Sequence, residues 1–232
     1  MRHYLFENKK ILITAGATWE IFDPIDNISD YSTGQMGYAI AESFLDAGAA
    51  VILVSGPVNL ELKHPNLKLI RVTTALEMKA ACGAWFDEID FAIFAATVAD
   101  YRPRVVSERM VKVAGDEQPI MKIKNQDIAF EFGRIKKEHQ FSVGFVPESD
   151  RALVYALDTL YKKNLDIIIL PSLSDKGNVS GQTVNKVTIL NRELETHSIE
   201  LTSTSELAGS LFNEIAEFAS SINYEGPETL VA

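Results

Sequence analysis

The residues best suited to chemistry lie near the start of the chain. An apolar run at residues 11–13 opens into Ala15, Gly16, Ala17 and Thr18. After a polar loop of about fifteen residues, a length that in ordered loops tends to mark function, Ser32, Thr33, Gly34, Gln35, Met36 and Gly37 start an amphipathic helix. A buried strand feeding a glycine turn and a helix N-terminus is a place where a phosphate can sit, because free N–H groups and the positive end of the helix dipole face the anion. An ordinary βα connection capped by Ser32 or Thr33 has the same signature, and spacing alone leaves both readings open. The glycines do not form G-x-G-x-x-G or G-x-x-x-x-G-K-[ST], which argues against a plain dinucleotide or P-loop site. We read the turn after Thr14 and the 32–37 helix start as two walls of one site. A second source of charge is the segment 104–118, where Arg104, Arg109 and Lys112 stand among polar residues without periodicity. It looks like a mobile flap, although the residues alone fit a solvated loop with scattered charges better. The four histidines, at 3, 64, 139 and 197, are scattered, so neither a histidine metal site nor a triad is expected.

These residues need a scaffold, and composition supplies one. The chain has 232 residues, of which 47% are hydrophobic and 23% charged, as in a soluble globular protein. That length is compatible with one or two domains. No apolar run reaches membrane-spanning length, and the N-terminal residues lack a signal peptide's apolar segment, so a cytoplasmic location is expected. The single cysteine, Cys82, excludes an internal disulfide and reads as a buried structural thiol. A formal charge of −10 disfavours nucleic acid or an anionic membrane as partner, while leaving room for a small phosphate ligand.

Taken in order, residues 50–55, 68–72 and 91–95 read as further buried strands, with a helix over 74–86 capped by Thr73 or Thr74. Residues 121–128 read as a short strand entering a helix capped by Asn125 or Asp127 and continuing to about Lys137. Residues 141–145 form the next strand, and a helix follows to about residue 164. A sixth strand at 166–170 is stopped by Pro171. Continuous apolar strands alternating with helices imply a parallel α/β sheet covered on both faces. Ligands in such sheets bind at the strands' carboxyl ends, which puts Gly16, Gly56 and Asp100 on one rim. Residues 186–190 and 198–201 alternate like a β-hairpin, and a final helix spans about 206–220.

The segments ITAGATWE, DPIDNISDYSTGQMGYAIAESFLDAGAAVILVSGPV, VADYRP, KIKNQDI, VGF and KNLDIIIL together resemble phosphopantothenoylcysteine synthetase, the second half of the bacterial bifunctional coenzyme A biosynthesis flavoprotein or a stand-alone protein. The resemblance runs from about residue 9 to 215. It implies one Rossmann-like domain over residues 1–232, with a flap at 104–118 and a hairpin extension at 172–201 that serves a homodimer contact. It further implies a ligase that activates the carboxylate of 4′-phosphopantothenate with CTP, or ATP, and Mg²⁺, after which the amine of cysteine attacks the acyl-nucleotidyl anhydride. Such chemistry needs cations against the triphosphate, a donor at the activated carbonyl and a flap against water.

By resemblance, Gly16, Ser32, Gly34, Met36 and Gly37 match the two walls. Asp100 matches the aspartate of A-D-Y that helps fix the cytosine. Lys124, Asn125 and Asp127 match the family's K-N-P-D, with Gln126 in place of proline. Phe145 matches the nucleobase-contacting phenylalanine, Lys163 the lysine before N-L-D, and Glu148 the acid of G-F-A-x-E-T, here G-F-V-P-E-S. Other positions depart. The asparagine tied to the half-reactions is Asp30, which when ionised can only accept hydrogen bonds and repels an oxyanion. In the flap E-K-I-K-K the first lysine is Arg109, and only Lys112 matches a lysine. A lysine four residues before Lys163 is Thr159, and the N-D or N-S after the sixth strand is Pro171-Ser172. Asp30, Arg109 and Lys112 stand as the catalytic candidates.

Two functions follow from this pattern. One is a ligase of this type with weakened or altered activity, alongside a separate decarboxylase partner. The other is a diverged relative that binds a nucleotide or phosphate without ligation, as a regulatory or scaffold subunit. A nicotinamide oxidoreductase is disfavoured, since neither the glycine fingerprint nor Tyr-x-x-x-Lys is present at Tyr155.

Overall fold

Side chains alternate between the two faces of a strand, and in the central strands of this chain both faces are apolar. The computed structural model describes residues 5–106, 121–146, 152–172, 186–200 and 203–221. The chain begins with β1 (Lys10–Ala15), β2 (Trp19–Ile21), β3 (Asn27–Ser29), α1 (Gln35–Asp46), β4 (Ala50–Ser55) and β5 (Leu67–Arg71). It continues through α2 (Ala75–Gly83), β6 (Phe91–Phe94), β7 (Tyr101–Pro103), β8 (Lys122–Lys124), α3 (Ile128–Gly133) and β9 (Phe141–Phe145). It closes with α4 (Ala152–Lys162), β10 (Ile167–Ser172), β11 (Lys186–Asn191), β12 (Thr196–Glu200) and α5 (Thr204–Ser221).

The main sheet runs β12-β11-β10-β9-β6-β1-β4-β5. The strands from β5 to β10 are parallel, and β11 and β12 extend the sheet antiparallel. In chain order the parallel part reads 3-2-1-4-5-6, the doubly wound arrangement, with the order reversing between β1 and β6. Ile11, Ile13, Val51, Leu53, Phe91 and Ile93 point to the face covered by α1 and α5. Leu12, Ile52, Val54, Ala92 and Phe94 point to the other, under α2, α3 and α4. Phe6 anchors the first face: its ring lies 4.8 Å from Phe44, 5.2 Å from Phe91 and 5.0 Å from Phe212. The α/β fold with helices on both faces and the C-terminal hairpin are as the sequence implies. Among the described residues no helix is long and apolar enough to cross a membrane.

Four local expectations are corrected. The polar loop after β1 contains a small antiparallel hairpin, β2 with β3. Its outward Trp19 and Ile21 and inward Glu20 invert the usual pattern of a half-buried strand. The α1 N-cap is Gly34, not Ser32 or Thr33, because that position has φ 76°, which glycine adopts without cost. The helix at 128 ends at Gly133 and does not reach Lys137, whose N–H is taken by the Gln140 side chain at 2.9 Å. Pro171 lies inside β10 and does not stop it; β9 pairs with β10 only as far as Ile169, so one side of β10 has no ladder partner there. The second helix starts where expected, with a capping box between Thr74 and Glu77, and ends at Gly83.

Two buried groups record how apolar the second face is. The Lys136 ammonium is pushed down from 10.5 by burial, against the opposing pull of Asp166 at 2.6 Å. Burial also pushes the Cys82 thiol on α2 up from 9.0 to about 12. The unfolded chain therefore loses this proton at lower pH than the native one. The thiol's contribution to stability is complete below about pH 9 and falls by about 1.4 kcal/mol per pH unit up to about pH 12. Cys82→Ala should remove this alkaline slope while lowering stability by a roughly constant amount at neutral pH. Urea unfolding midpoints between about pH 8 and about pH 11 measure it; parallel alkaline slopes in the two proteins would contradict the burial of the thiol.

Candidate functional site

The carboxyl ends of β1 and β6 meet at the reversal of strand order, where doubly wound sheets bind ligands. Here the two chains stay joined beyond their strands. Thr97 N–H donates to the Gly16 carbonyl at 2.9 Å, and Thr18 N–H donates to the Thr97 carbonyl at 3.1 Å. The Thr14 hydroxyl accepts from Ala96 N–H at 3.2 Å, and the Thr18 hydroxyl from Ala99 N–H at 3.0 Å. The same turn packs on the start of α1. A Cβ on Gly34 would come within 3.3 Å of the Gly16 backbone, and one on Gly37 within 2.6 Å of the Ala15 Cβ. The two walls read from the sequence are therefore in direct contact. Gly34 has no side chain to cap α1, and of the first-turn N–H groups Gln35 N–H donates to the Thr33 hydroxyl at 3.4 Å.

A cavity of about 380 Å³ opens beside this junction, on the β6 and β9 side. Thr14 and Phe94 form its floor, and Asp100, Lys124, Asp127 and Phe145 form its walls. The far side is α4, which presents Tyr155, Asp158, Thr159 and Lys162 at helical spacing, followed by Lys163. Asp127 has two roles. One carboxylate oxygen caps α3 through Phe130 N–H at 3.0 Å, and the other holds the Lys163 ammonium at 3.0 Å. Thr159 is buried, at 4% exposure, so the wall is uncharged at that point.

Behind the wall lies a polar network that the sequence did not single out. Glu20 on β2 is 3% exposed, and its Oε1 accepts from Ala75 N–H at 2.9 Å and from the Asn125 amide at 3.1 Å. The same amide donates to the Ala99 carbonyl at 2.8 Å, and the Asn125 Oδ1 accepts from Arg102 at 2.7 Å. Asn125 N–H donates to the Asp100 carbonyl at 2.8 Å. The available signal was weak: a glutamate between two large apolar residues, and an arginine in the VADYRP segment.

The structure thus gathers Asp100, Lys124, Asn125, Asp127, Phe145 and Lys163 around one cavity. Gly16, Ser32, Gly34, Met36 and Gly37 lie at the neighbouring β1–α1 junction and are not among the residues lining it. Asp30 is exposed just past β3, its carbonyl accepting from the Ser29 hydroxyl at 3.0 Å. Arg109, Lys112 and Glu148 lie outside the described residues. The residues on either side of the segment holding Arg109 and Lys112 are described: β7 and β8 pair antiparallel, with Tyr101 opposite Lys124, and Arg104 N–H extends the ladder to the Met121 carbonyl. A second cavity of about 440 Å³ lies between Trp19, Val58 and Glu77. Arg71 there is already bonded to the carbonyls of Val58 and Leu60. Among the described residues no group of three or more acidic, histidine or cysteine side chains could hold a metal.

The profile of the family described as "DNA/pantothenate metabolism flavoprotein C-terminal domain" matches residues 6–219. A coenzyme A biosynthesis bifunctional protein CoaBC from Haemophilus influenzae is 41% identical over 207 residues, covering 89% of this chain and 51% of that protein. A cysteine/cysteine sulfinic acid decarboxylase from an unknown prokaryotic organism is 39% identical over 207 residues, covering 89% of this chain and 58% of that protein. The chain thus spans little more than half the length of these relatives. The crystal structure of the C-terminal domain of a coenzyme A biosynthesis bifunctional protein CoaBC superposes with a TM-score of 0.79 at 31% identity, over 94% of this chain and 99% of that one. With its doubly wound sheet, its rim cavity and a family match over nearly its whole length, the chain belongs to the DNA/pantothenate metabolism flavoprotein C-terminal domain family and is a protein of the phosphopantothenoylcysteine synthetase type.

Proposed function

We propose that this chain is a nucleotide-dependent ligase that joins 4′-phosphopantothenate to cysteine, with activity weakened or altered at the acyl-transfer centre. The observation that carries this reading is the convergence of Asp100, Lys124, Asp127, Phe145 and Lys163 on one cavity at the carboxyl ends of β6 and β9. Phe145 offers a ring face to a nucleobase, and the exposed Asp100 carboxylate accepts from an exocyclic amine, which cytosine and adenine both carry. Lys124, Lys162 and Lys163 supply positive charge for a triphosphate. Among the described residues no cluster of acidic, histidine or cysteine side chains would cage a metal, and Mg²⁺ enters this proposal as an ion carried on the nucleotide's phosphates.

The reaction balances in two steps. A carboxylate oxygen of phosphopantothenate attacks the α-phosphorus, and pyrophosphate leaves. The amine of cysteine then attacks the acyl carbon, the nucleoside monophosphate leaves and the amine loses a proton. Asp30 and, in the flap, Arg109 and Lys112 are the groups we assign to the acyl centre. Glu148, Gly16, Ser32, Gly34, Met36 and Gly37 we assign to substrate binding. A cytoplasmic location, a homodimer built on the β11–β12 extension and a separate decarboxylase partner complete the proposal. The decarboxylase named among the relatives is consistent with such a partner.

A second reading is favoured by two positions. Thr159 leaves the cavity wall uncharged where the resemblance calls for a lysine, and Asp30 stands where the resemblance calls for a donor. A site altered at both positions would bind a nucleotide or phosphate without completing ligation.

Pyrophosphate release, with CTP and ATP, with phosphopantothenate and with or without cysteine, separates the two. Loss of one oxyanion donor costs about 10²–10³ in rate. Wild-type turnover should be low, Asp30→Asn should raise it, and the double change with Thr159→Lys should exceed either alone. High wild-type turnover that Asp30→Asn lowers would overturn the role given to Asp30. Nucleotide binding without turnover in every variant would favour the binding-only reading. For assembly, light scattering at micromolar concentration should give a dimer mass; a monomer would defeat the homodimer.

A further inference from the structure

We propose that Glu20 is a positioning residue for the nucleotide cavity, acting with Arg102 through Asn125. The inference rests on the reading of that cavity as a nucleotide site. Asn125 is nearly fully enclosed and its side-chain amide is already in use. Both amide hydrogens are donated, one to Glu20 Oε1 and one to the Ala99 carbonyl, and Oδ1 accepts from Arg102. A side chain so occupied contributes to ligand binding chiefly by what it holds in place. Its backbone N–H holds the Asp100 carbonyl, its amide holds the Ala99 carbonyl, and its neighbour in the chain is Lys124.

The charges on either side decide which way the amide points. Glu20 places a carboxylate at the NH₂ end, and Arg102 places a guanidinium at the oxygen end. A flipped amide would set its oxygen against the carboxylate and its NH₂ against the guanidinium, so one orientation is selected. Glu20 also binds Ala75 N–H at the start of α2, tying the β2–β3 hairpin, the α2 N-terminus and the β7–β8 ribbon to one carboxylate. A buried ionisable group is poor value for stability alone, whereas it can specify one arrangement among several. Here the arrangement specified is that of Asp100 and Lys124, two cavity walls contributed by the β6–β7 loop and by β8. Through β2, the same carboxylate sits on the hairpin that leads to Asp30.

The test uses Glu20→Gln, which keeps an oxygen acceptor, Glu20→Met, which removes it, and Arg102→Met at a half-buried position. Two readouts are taken: hydrogen exchange of residues 99–104 and 121–127 in the ligand-free protein, and calorimetric affinity for CTP and for ATP. In Glu20→Met, exchange of both segments should rise about tenfold while β1 and β4 keep their protection, and nucleotide affinity should fall about tenfold. Arg102→Met should change both readouts in the same direction, and Glu20→Gln should stay within about threefold of wild type. Unchanged exchange and affinity in Glu20→Met, or equal losses in the Gln and Met variants, would overturn the proposal. If Glu20→Met does not fold, Arg102→Met decides, and unchanged exchange there overturns it. If the wild-type protein binds neither nucleotide, the proposed function fails, while the exchange readout still decides whether the network positions the loops.

Discussion

Beyond Ala15 and Phe94 the β1 and β6 chains do not separate, because Thr97 bonds to the β1 turn on both sides of its peptide unit. In a doubly wound sheet the crevice between these strands is the usual ligand site. Here the ladder continues through it, supported by the hydroxyls of Thr14 and Thr18. The open space is consequently displaced toward β9, where Gly144 and Phe145 end their strand under α4. The same ladder carries the chain to Ala99 and Asp100, so the position of the cavity and that of its acidic wall have one cause.

The cavity is lined by three carboxylates, Asp100, Asp127 and Asp158, and three ammonium groups, Lys124, Lys162 and Lys163. Asp127 holds Lys163 while capping α3, so a phosphate entering here competes with a carboxylate for that ammonium. The start of α1 is of a different kind: Gly34 is its N-cap, and in its first turn the Thr33 hydroxyl accepts from Gln35 N–H at 3.4 Å. Its geometry depends on two glycines: Gly34, with its positive φ, and Gly37, packed on Ala15. The two regions share the rim and are joined by the Gly16–Thr18 turn.

What could be read from the sequence followed the strength of each physical signal. Runs such as residues 50–55 and 91–95 are apolar on both faces, and only a strand buried on two sides needs that pattern. The candidate site residues Asp100, Lys124, Asp127, Phe145 and Lys163 come from four separate segments, VADYRP, KIKNQDI, VGF and KNLDIIIL, and only the resemblance of those segments in order groups them. The β2–β3 hairpin was hidden because its buried residue is a glutamate and its exposed ones are Trp19 and Ile21. Glu20, within ATWE, carries no local sign of its role, since its partner Asn125 lies 105 positions away in the chain. The Gly34 cap was missed for a similar reason: Ser32 and Thr33 are better caps by residue type, but the turn's backbone demanded a positive φ.

The central claim is that a nucleotide occupies the space between Asp100, Phe145 and α4. A crystal structure of the protein with a non-hydrolysable CTP or ATP analogue tests it most directly. The account predicts the base against the Phe145 ring with its amine at Asp100, and phosphates within reach of Lys124 and Lys163. An analogue found instead in the space between Trp19, Val58 and Glu77, with the α4 cavity empty, would contradict it.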